Sequence, residues 1–453
     1  MTFFQKLALL RERRRREKTC LWTLAQLATH QQRSLEELRA FALRCSPFYG
    51  RFHRGCERAP LNELPILTKA MLMEHFDQVV TDRAIRLSDV EEFLRREPAD
   101  GRFRGRYVAL ATSGSTGRRG VFLFDEREWI ECLANISRPM SWANVRPRLI
   151  RRVRTAMLAS TSASHYSAQV GRSMTTRLLP TLRLDAAEPT PLIVEQLNRW
   201  KPDVLVAYPS VLRMLAAEQA AGRLSISPQS CATSAEVLTE ETRRRVREAF
   251  GIRVWETYGA TEYAPIAAEC AEGRMHLFED GAIIEVVDDR GRVVAPGEQG
   301  TRVLLTVFGR RVQPLIRYEI SDMVRLSAET CPCGRPYRTI DAIDGRQEDV
   351  LSMPAASRPG TTVSIHPNVF HRVLETVPAS AWQVVQQPDA LDINLVGVES
   401  PVVIASTEAA VRAALAQEGA AAIRIHVRVV TEMQRGRTGK APLVLACASK
   451  TAA

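Results

Sequence analysis

The chain has no uninterrupted apolar stretch long enough to cross a bilayer, so a helical membrane-spanning protein is excluded. It also has no internal repeat and no low-complexity tract, which removes solenoid and disordered architectures. Acidic residues are in deficit. Against 62 Lys and Arg stand 51 Asp and Glu, and the net charge of +11 makes the surface attractive to anions. Nucleotides, phosphopantetheine groups, acidic proteins and nucleic acid all qualify, and charge alone does not choose among them. A secretory pattern is missing too, because the brief apolar start over residues 1–10 precedes the basic run 11–18 instead of following it. The nine cysteines are an odd number scattered along the chain, so reduced thiols in a cytoplasmic protein are expected rather than a disulfide framework.

What is present describes a globular protein of 453 residues, 45% hydrophobic and 25% charged, long enough for two or three domains. The first hundred residues read mainly as helix. Leu21, Leu24 and Leu27 form one periodic set and Leu35 and Leu38 another, with a restart between them at which Ser34 caps and Glu37 completes a capping box. The arginines between Arg11 and Arg16 read as a solvated helix face. From Tyr107 the pattern changes to short β-prone runs, Tyr107–Ala111 and Val121–Phe124. A buried strand at 204–208 feeds a helix at 209–221, and another strand is expected at 252–255, so an α/β layered core follows. Strand and turn character dominates 282–330, with runs at 283–287 and 302–307. Past Arg346, strands at 383–386 and 392–396, a helix at 407–417 and a strand at 423–430 suggest a small α+β domain.

Between the two β-prone runs lie Thr112, Ser113, Gly114, Ser115, Thr116 and Gly117. Hydroxyls and bare amides of this kind can wrap a polyphosphate, although an ordinary Ser/Gly turn explains the run when it is taken alone. It is not a Walker loop, which needs Lys directly after its last Gly and then a helix. Here Arg118, Arg119, Gly120 and a strand follow. The companions of the loop carry the argument: Tyr258, Gly259, Ala260, Thr261 and Glu262; Asp322 within 317–322; Gly345 and Arg346; and Gly436, Arg437, Thr438, Gly439 and Lys440.

With Ser46, Pro47, Phe48, Tyr49 and the stretch 64–69, these motifs resemble the adenylate-forming ligase superfamily, and within it the phenylacetate-coenzyme A ligase-like branch, over nearly the whole chain. The resemblance implies an α/β fold with a large multi-layer N-terminal domain over 1–346, mainly helical in its first hundred residues and β-rich at 282–330. A small mobile α+β domain over 347–453 would carry the catalytic lysine and pivot at Glu348, where Asp or Lys is usual. It implies that Ser113, Gly114, Ser115, Thr116 and Gly117 hold the ATP β- and γ-phosphates. Thr261 would contact the α-phosphate, Glu262 would bind Mg²⁺, and Tyr258, beside Gly259, would lie against adenine. Ala235 and Glu236 match the adenine-side segment, which begins with Ser234 where the family has Gly. Asp322 would accept both ribose hydroxyls, Arg346 would reach ribose or phosphates, and Lys440 would bridge the substrate carboxylate and the α-phosphate. Each role suits its residue type: acceptor-only carboxylate, hard oxygen ligand, mobile ammonium.

Cys270, His276, Cys331 and Cys333 resemble a further feature of the branch. Three thiols and an imidazole suit a structural Zn²⁺, while metal-free side chains serving packing and turns are the alternative. The implied activity is ATP-dependent conversion of an organic, aromatic acid to an acyl-adenylate with release of pyrophosphate, then transfer to the phosphopantetheine thiol of coenzyme A or an acyl carrier protein. Ser210, Ala235, Tyr258, Ala260 and Tyr263 would line the acid pocket. A membrane partner is not expected, nucleic acid is disfavoured, and a homodimer stays open. The competing class is a catalytically inactive nucleotide-binding protein or a basic nucleic-acid-binding protein, against which Glu262, Asp322 and Lys440 count.

Overall fold

The computed structural model describes residues 2–96, 102–112, 119–142, 152–346, 349–358, 360–436 and 439–446. Helices α1 (Phe3–Thr19) and α2 (Leu24–Cys45) open the chain, each started by a capping box that satisfies first-turn N–H donors: Thr2 with Gln5, and Thr23 with Gln26. Because α2 is continuous, Ser34 lies inside it and caps nothing, contrary to the expected restart. The polar gap has a packing cause. His30 and Gln31 meet the carbonyls of Asp280 and Glu279 at 2.9 and 3.0 Å, while Leu27, Leu35, Leu38 and Ala42 continue one buried stripe around them. The basic run is not wholly solvated either. Arg16 is buried beside Glu12, Glu131 and Asp280, as a guanidinium removed from water requires. Short helices α3 (Pro47–Phe52), α4 (Lys69–Glu74), α5 (Phe76–Val79) and α6 (Leu87–Arg96) follow.

Strands β1 (Arg102–Phe103), β2 (Tyr107–Ala111) and β3 (Val121–Phe124) pair antiparallel, with the last two on the expected bounds. Helix α7 (Glu126–Trp142) leads to an alternating series: β4 (Thr155–Ala159), α8 (Tyr166–Met174), β5 (Thr181–Asp185), α9 (Thr190–Trp200), β6 (Val204–Ala207), α10 (Pro209–Ala220), β7 (Ser230–Ser234), α11 (Glu240–Phe250) and β8 (Val254–Ala260). Helical crossovers return the chain in the same direction, so β4 to β8 pair in parallel. Ile193, Leu197, Leu212, Leu215 and Val246 of α9, α10 and α11 share a core with Leu158, Leu205 and Cys231 of these strands.

Strand β8 runs past the expected 252–255 and turns directly into β9 (Tyr263–Glu269), which is followed by β10 (Met275–Leu277). Strands β11 (Ala282–Val287), β12 (Arg302–Val307) and β13 (Tyr318–Ile320) make the β-rich subdomain as a separate antiparallel sheet. Strands β14 (Asp322–Leu326) and β15 (Thr339–Arg346) complete a nine-stranded mixed sheet of order β14-β15-β10-β9-β8-β7-β6-β4-β5.

From Leu351 the chain builds its own core. A hairpin, β16 (Leu351–Pro354) with β17 (Thr362–Ile365), precedes helix α12 (Pro367–Leu374). Then come β18 (Ala381–Gln386), β19 (Ala390–Val396), helix α13 (Pro401–Gln417), β20 (Arg424–Val430) and β21 (Val444–Leu445), giving a four-stranded sheet of order β20-β19-β18-β21. Trp382, Phe370, Ile393 and Val411 fill the space between this sheet and its helices. The molecule is therefore α/β, with a large layered N-terminal part, a β-rich subdomain and a small α+β C-terminal part. No helix among the described residues is long and apolar enough to cross a membrane.

Candidate active site

The turn between β8 and β9 is a two-residue hairpin tip. Ala260 pairs with Tyr263, leaving Thr261 and Glu262 to turn the chain, and a bulge falls at Gly259. A Cβ on Gly259 would stand 3.1 Å from the Ala264 Cβ and 3.4 Å from the Pro265 Cα, so the bulge is packed too closely for a larger residue. Glu262 is buried, and its Oε1 accepts a hydrogen bond from the Tyr318 hydroxyl at 2.9 Å. No donor among the described residues engages Oε2. A buried carboxylate held through one oxygen, with the other available at a turn tip, fits a hard divalent cation.

Tyr258, on the same strand, donates to Asp322 Oδ2 at 2.6 Å, while Arg346 Nε donates to Oδ1 at 3.1 Å. Asp322 opens β14 and is the register partner of Arg346 at the end of β15. Burial and the adjoining carboxylate hold the Tyr258 phenol well above its ordinary range, which keeps it a donor. Two sequence-expected residues thus converge on a third, the Asp322 carboxylate. That hydroxyl is turned toward Asp322, a contact not foreseen for Tyr258.

The C-terminal part brings Lys440 to the same place. Its Nζ lies 5.6 Å from the centre of the Tyr208 ring, and the ammonium is close enough to Arg346, Glu236 and Asp322 to feel all three charges. Burial, followed by the like charge of Arg346, lowers its pKa from the usual lysine range. The turn carrying it is pinned by Gly439, whose φ is +74° and whose absent Cβ would overlap the backbone of Ala186 and Ala187 at 2.7 Å. Ala235 is a non-glycine residue at φ +74°, just past β7, so this segment holds a conformation costly for a Cβ-bearing residue. The next residue, Glu236, accepts hydrogen bonds from Ser210 and from Ala441.

Ser113, Gly114, Ser115, Thr116 and Gly117 lie outside the described residues, as do Arg437, Thr438 and Glu348. The ends of the hydroxyl-rich loop are described. The Thr112 amide donates to the Gly120 carbonyl at 2.9 Å, and the Gly120 amide donates to Thr112 Oγ1 at 2.8 Å, closing the loop at its base. Two residues given no role by sequence reasoning also shape the site, Tyr318 orienting Glu262 and Tyr208 underlying Lys440, while Ser210, expected in the acid pocket, instead bonds Glu236. The Tyr318 and Tyr208 roles are invisible locally because each acts on a side chain supplied by a distant segment.

Away from this cleft, Cys270, His276, Cys331 and Cys333 place their ligand atoms within 4.8 Å of one another. Cys270 and Cys331 Sγ are 3.7 Å apart, and Cys333 Sγ is 3.2 Å from His276 Nε2. Sulfur ligands at about 2.3 Å from a tetrahedral zinc stand roughly 3.8 Å apart, so the separations fit. His276 Nδ1 lies 3.1 Å from the Tyr337 carbonyl, which can only accept, so Nδ1 carries the proton and Nε2 faces the thiols. No disulfide occurs among the described residues.

The family model of AMP-binding enzymes matches residues 97–305. The phenylacetate-coenzyme A ligase of Thermus thermophilus is 31% identical over 187 residues, 40% of each protein. The fumarate–(S)-2,3-diaminopropanoate ligase of Enterobacter agglomerans is 23% identical over 311 residues, 66% of this chain and 70% of that protein. A crystal structure of 2-hydroxyisobutyryl-CoA ligase in the postadenylation state, with R3-HIB-AMP, superposes with a TM-score of 0.71 at 19% identity, covering 91% of this chain and 88% of that one. The chain is thus similar to AMP-binding enzymes over residues 97–305 and, over part of its length, to phenylacetate-coenzyme A ligases. Its match spans less than half the length of the Thermus relative.

Proposed function

We propose that this protein is an AMP-forming acid–thiol ligase. In the first half-reaction a carboxylate oxygen of the acid attacks the α-phosphorus of ATP and pyrophosphate leaves. In the second, a phosphopantetheine thiol attacks the acyl carbon, and AMP leaves with the bonding pair of the acyl–oxygen bond. The reading rests chiefly on one observation: the Lys440 segment of the C-terminal part meets the N-terminal part, with Lys440 Nζ 5.6 Å from the Tyr208 ring centre and within electrostatic reach of Asp322 and Arg346, and with the Ala441 amide on Glu236. In this reading residues 1–346 form the adenylation domain and 347–453 a small domain that rotates about Glu348 between the two steps.

Asp322, braced by Tyr258 and Arg346, would receive the ribose hydroxyls, and the loop from Ser113 to Gly117 the outer phosphates. Thr261 would donate to the α-phosphate. Lys440 would offset negative charge as carboxylate and phosphate approach, a contact worth most near the transition state. Glu262 would hold Mg²⁺, which when bound neutralises phosphate charge. Cys270, His276, Cys331 and Cys333 would hold a structural Zn²⁺ remote from the reaction.

An aromatic acid is the substrate class we favour, since phenylacetate-coenzyme A ligases are among the relatives. Coenzyme A and acyl carrier protein both satisfy the acceptor chemistry. The relative named for joining fumarate to a diamino acid is matched over 66% of this chain, so an amine acceptor belongs in the same screen.

The test is acid-dependent ATP/pyrophosphate exchange over aryl and aliphatic acids, followed by acceptor assays. Lys440→Ala is expected to lower exchange by about a hundredfold or more while the melting temperature stays put. Exchange undiminished in that variant would remove the lysine from the mechanism. No exchange with any acid, alongside nucleic-acid binding that falls steeply with salt, would favour the binding-protein reading. Protein purified without chelator should carry about one zinc per chain and melt lower once stripped. A metal-free preparation of unchanged stability would dispose of the zinc assignment.

A further inference from the structure

Glu236 joins two parts of the molecule that lie far apart in the sequence. Its Oε2 accepts the Ser210 amide at 2.9 Å, and its Oε1 accepts the Ser210 hydroxyl at 3.1 Å and the Ala441 amide at 2.9 Å. Ser210 lies in the first turn of α10, where aligned peptide dipoles favour a carboxylate. Ala441 directly follows Lys440. The turn bearing that lysine is closed on itself, since the Gly436 amide donates to the Lys440 carbonyl at 2.8 Å and the Gly439 amide to the Gly436 carbonyl at 2.9 Å. A tether at Ala441 holds the residue just before it, Lys440, near Glu236. Every described hydrogen bond of the Glu236 side chain goes to one of these two partners.

We propose that Glu236 is a positioning residue that acts through Lys440: it latches the lysine turn onto the start of α10 for adenylation and must let go before thioester formation. This rests on the ligase reading above and adds a role to it. A direct contact with adenine would make Glu236 matter for ATP binding whether or not Lys440 is present. A latch makes it matter only through Lys440, and only in the first half-reaction.

The experiment is a double-mutant cycle read in both half-reactions. Glu236→Ala should lower kcat for ATP/pyrophosphate exchange about tenfold or more and change KM for ATP less than about twofold, and it should add no further loss to Lys440→Ala. Thiolysis of a supplied acyl-adenylate should run at the wild-type rate. Multiplying losses in the double variant, or a rise confined to KM for ATP, would overturn the latch. Glu236→Gln keeps the side-chain volume and serves if the alanine variant fails to fold; it should retain part of the exchange activity. Amide hydrogen exchange over 436–442 judges the latch without any turnover. It should quicken in Glu236→Gln relative to wild type, and unchanged protection would sink the proposal even if the enzyme proves active. If no acid drives exchange in the wild type, the ligase reading fails, and this protection measurement alone decides whether the tether exists.

Discussion

Asp322 shows how much of the site depends on single side chains. Both of its oxygens are already engaged, by Tyr258 at 2.6 Å and Arg346 at 3.1 Å, so its plane is fixed before any nucleotide arrives. A hydrogen bond to a charged acceptor contributes about 1.5–3 kcal/mol, so Tyr258→Phe should raise KM for ATP about tenfold. The fold should survive, because the ring remains in place. Steady-state kinetics at varied ATP check this, and an unchanged KM would mean that Asp322 needs no brace. At this scale the sequence was informative for residues in short motifs: Tyr258, Asp322 and Arg346, each in its own motif, meet in space. It was silent on Tyr318, whose hydroxyl finds Glu262 only through the packing of β13.

Among the elements, the β8–β9 hairpin carries the greatest burden. Its strands also bring Glu256 and Glu269 together around Arg243 of α11, at 2.6 and 2.8 Å. Burial pushes the Glu256 carboxyl up to about 7, and the neighbouring Glu269 adds to the effect that Arg243 opposes. A folded-state pKa above the unfolded one favours the protonated form. The contribution is therefore fully present below about 4.5 and is lost as pH rises through about 7. Glu256→Gln should flatten that part of the stability profile, which denaturant titrations at pH 5 and pH 8 would reveal; an unaltered slope would mean the carboxyl titrates normally.

Element type was legible wherever periodicity was long, as in α10 and β12. It misled at Ser34, where a polar patch meeting the backbone of Asp280 looked like a helix end. The hairpin β16–β17 and helix α12 escaped notice because short strands exposed on alternate residues, followed by an eight-residue helix, leave little periodic signal.

Across the whole molecule, two guanidiniums hold the parts together. Arg213 of α10 and Arg245 of α11 both donate to the carbonyls of Ala379 and Ser380, through four contacts of 2.6–3.3 Å. Rotation of the C-terminal part would break all four at once, so the clasp favours the arrangement with Lys440 at the cleft. Replacing both arginines by alanine should slow pyrophosphate exchange several-fold, leave thiolysis of a supplied adenylate intact, and enlarge the radius of gyration in solution scattering. Equal losses in the two half-reactions would instead indicate general damage to the fold.

Tyr337 gives its carbonyl to His276 and its hydroxyl to Thr19, the last residue of α1, whose own hydroxyl reaches Asp280. The opening helix and the cysteine–histidine cluster therefore hang from opposite ends of one tyrosine. A disturbance of that cluster, such as oxidation of its thiols, would be passed to the end of α1 through this one side chain.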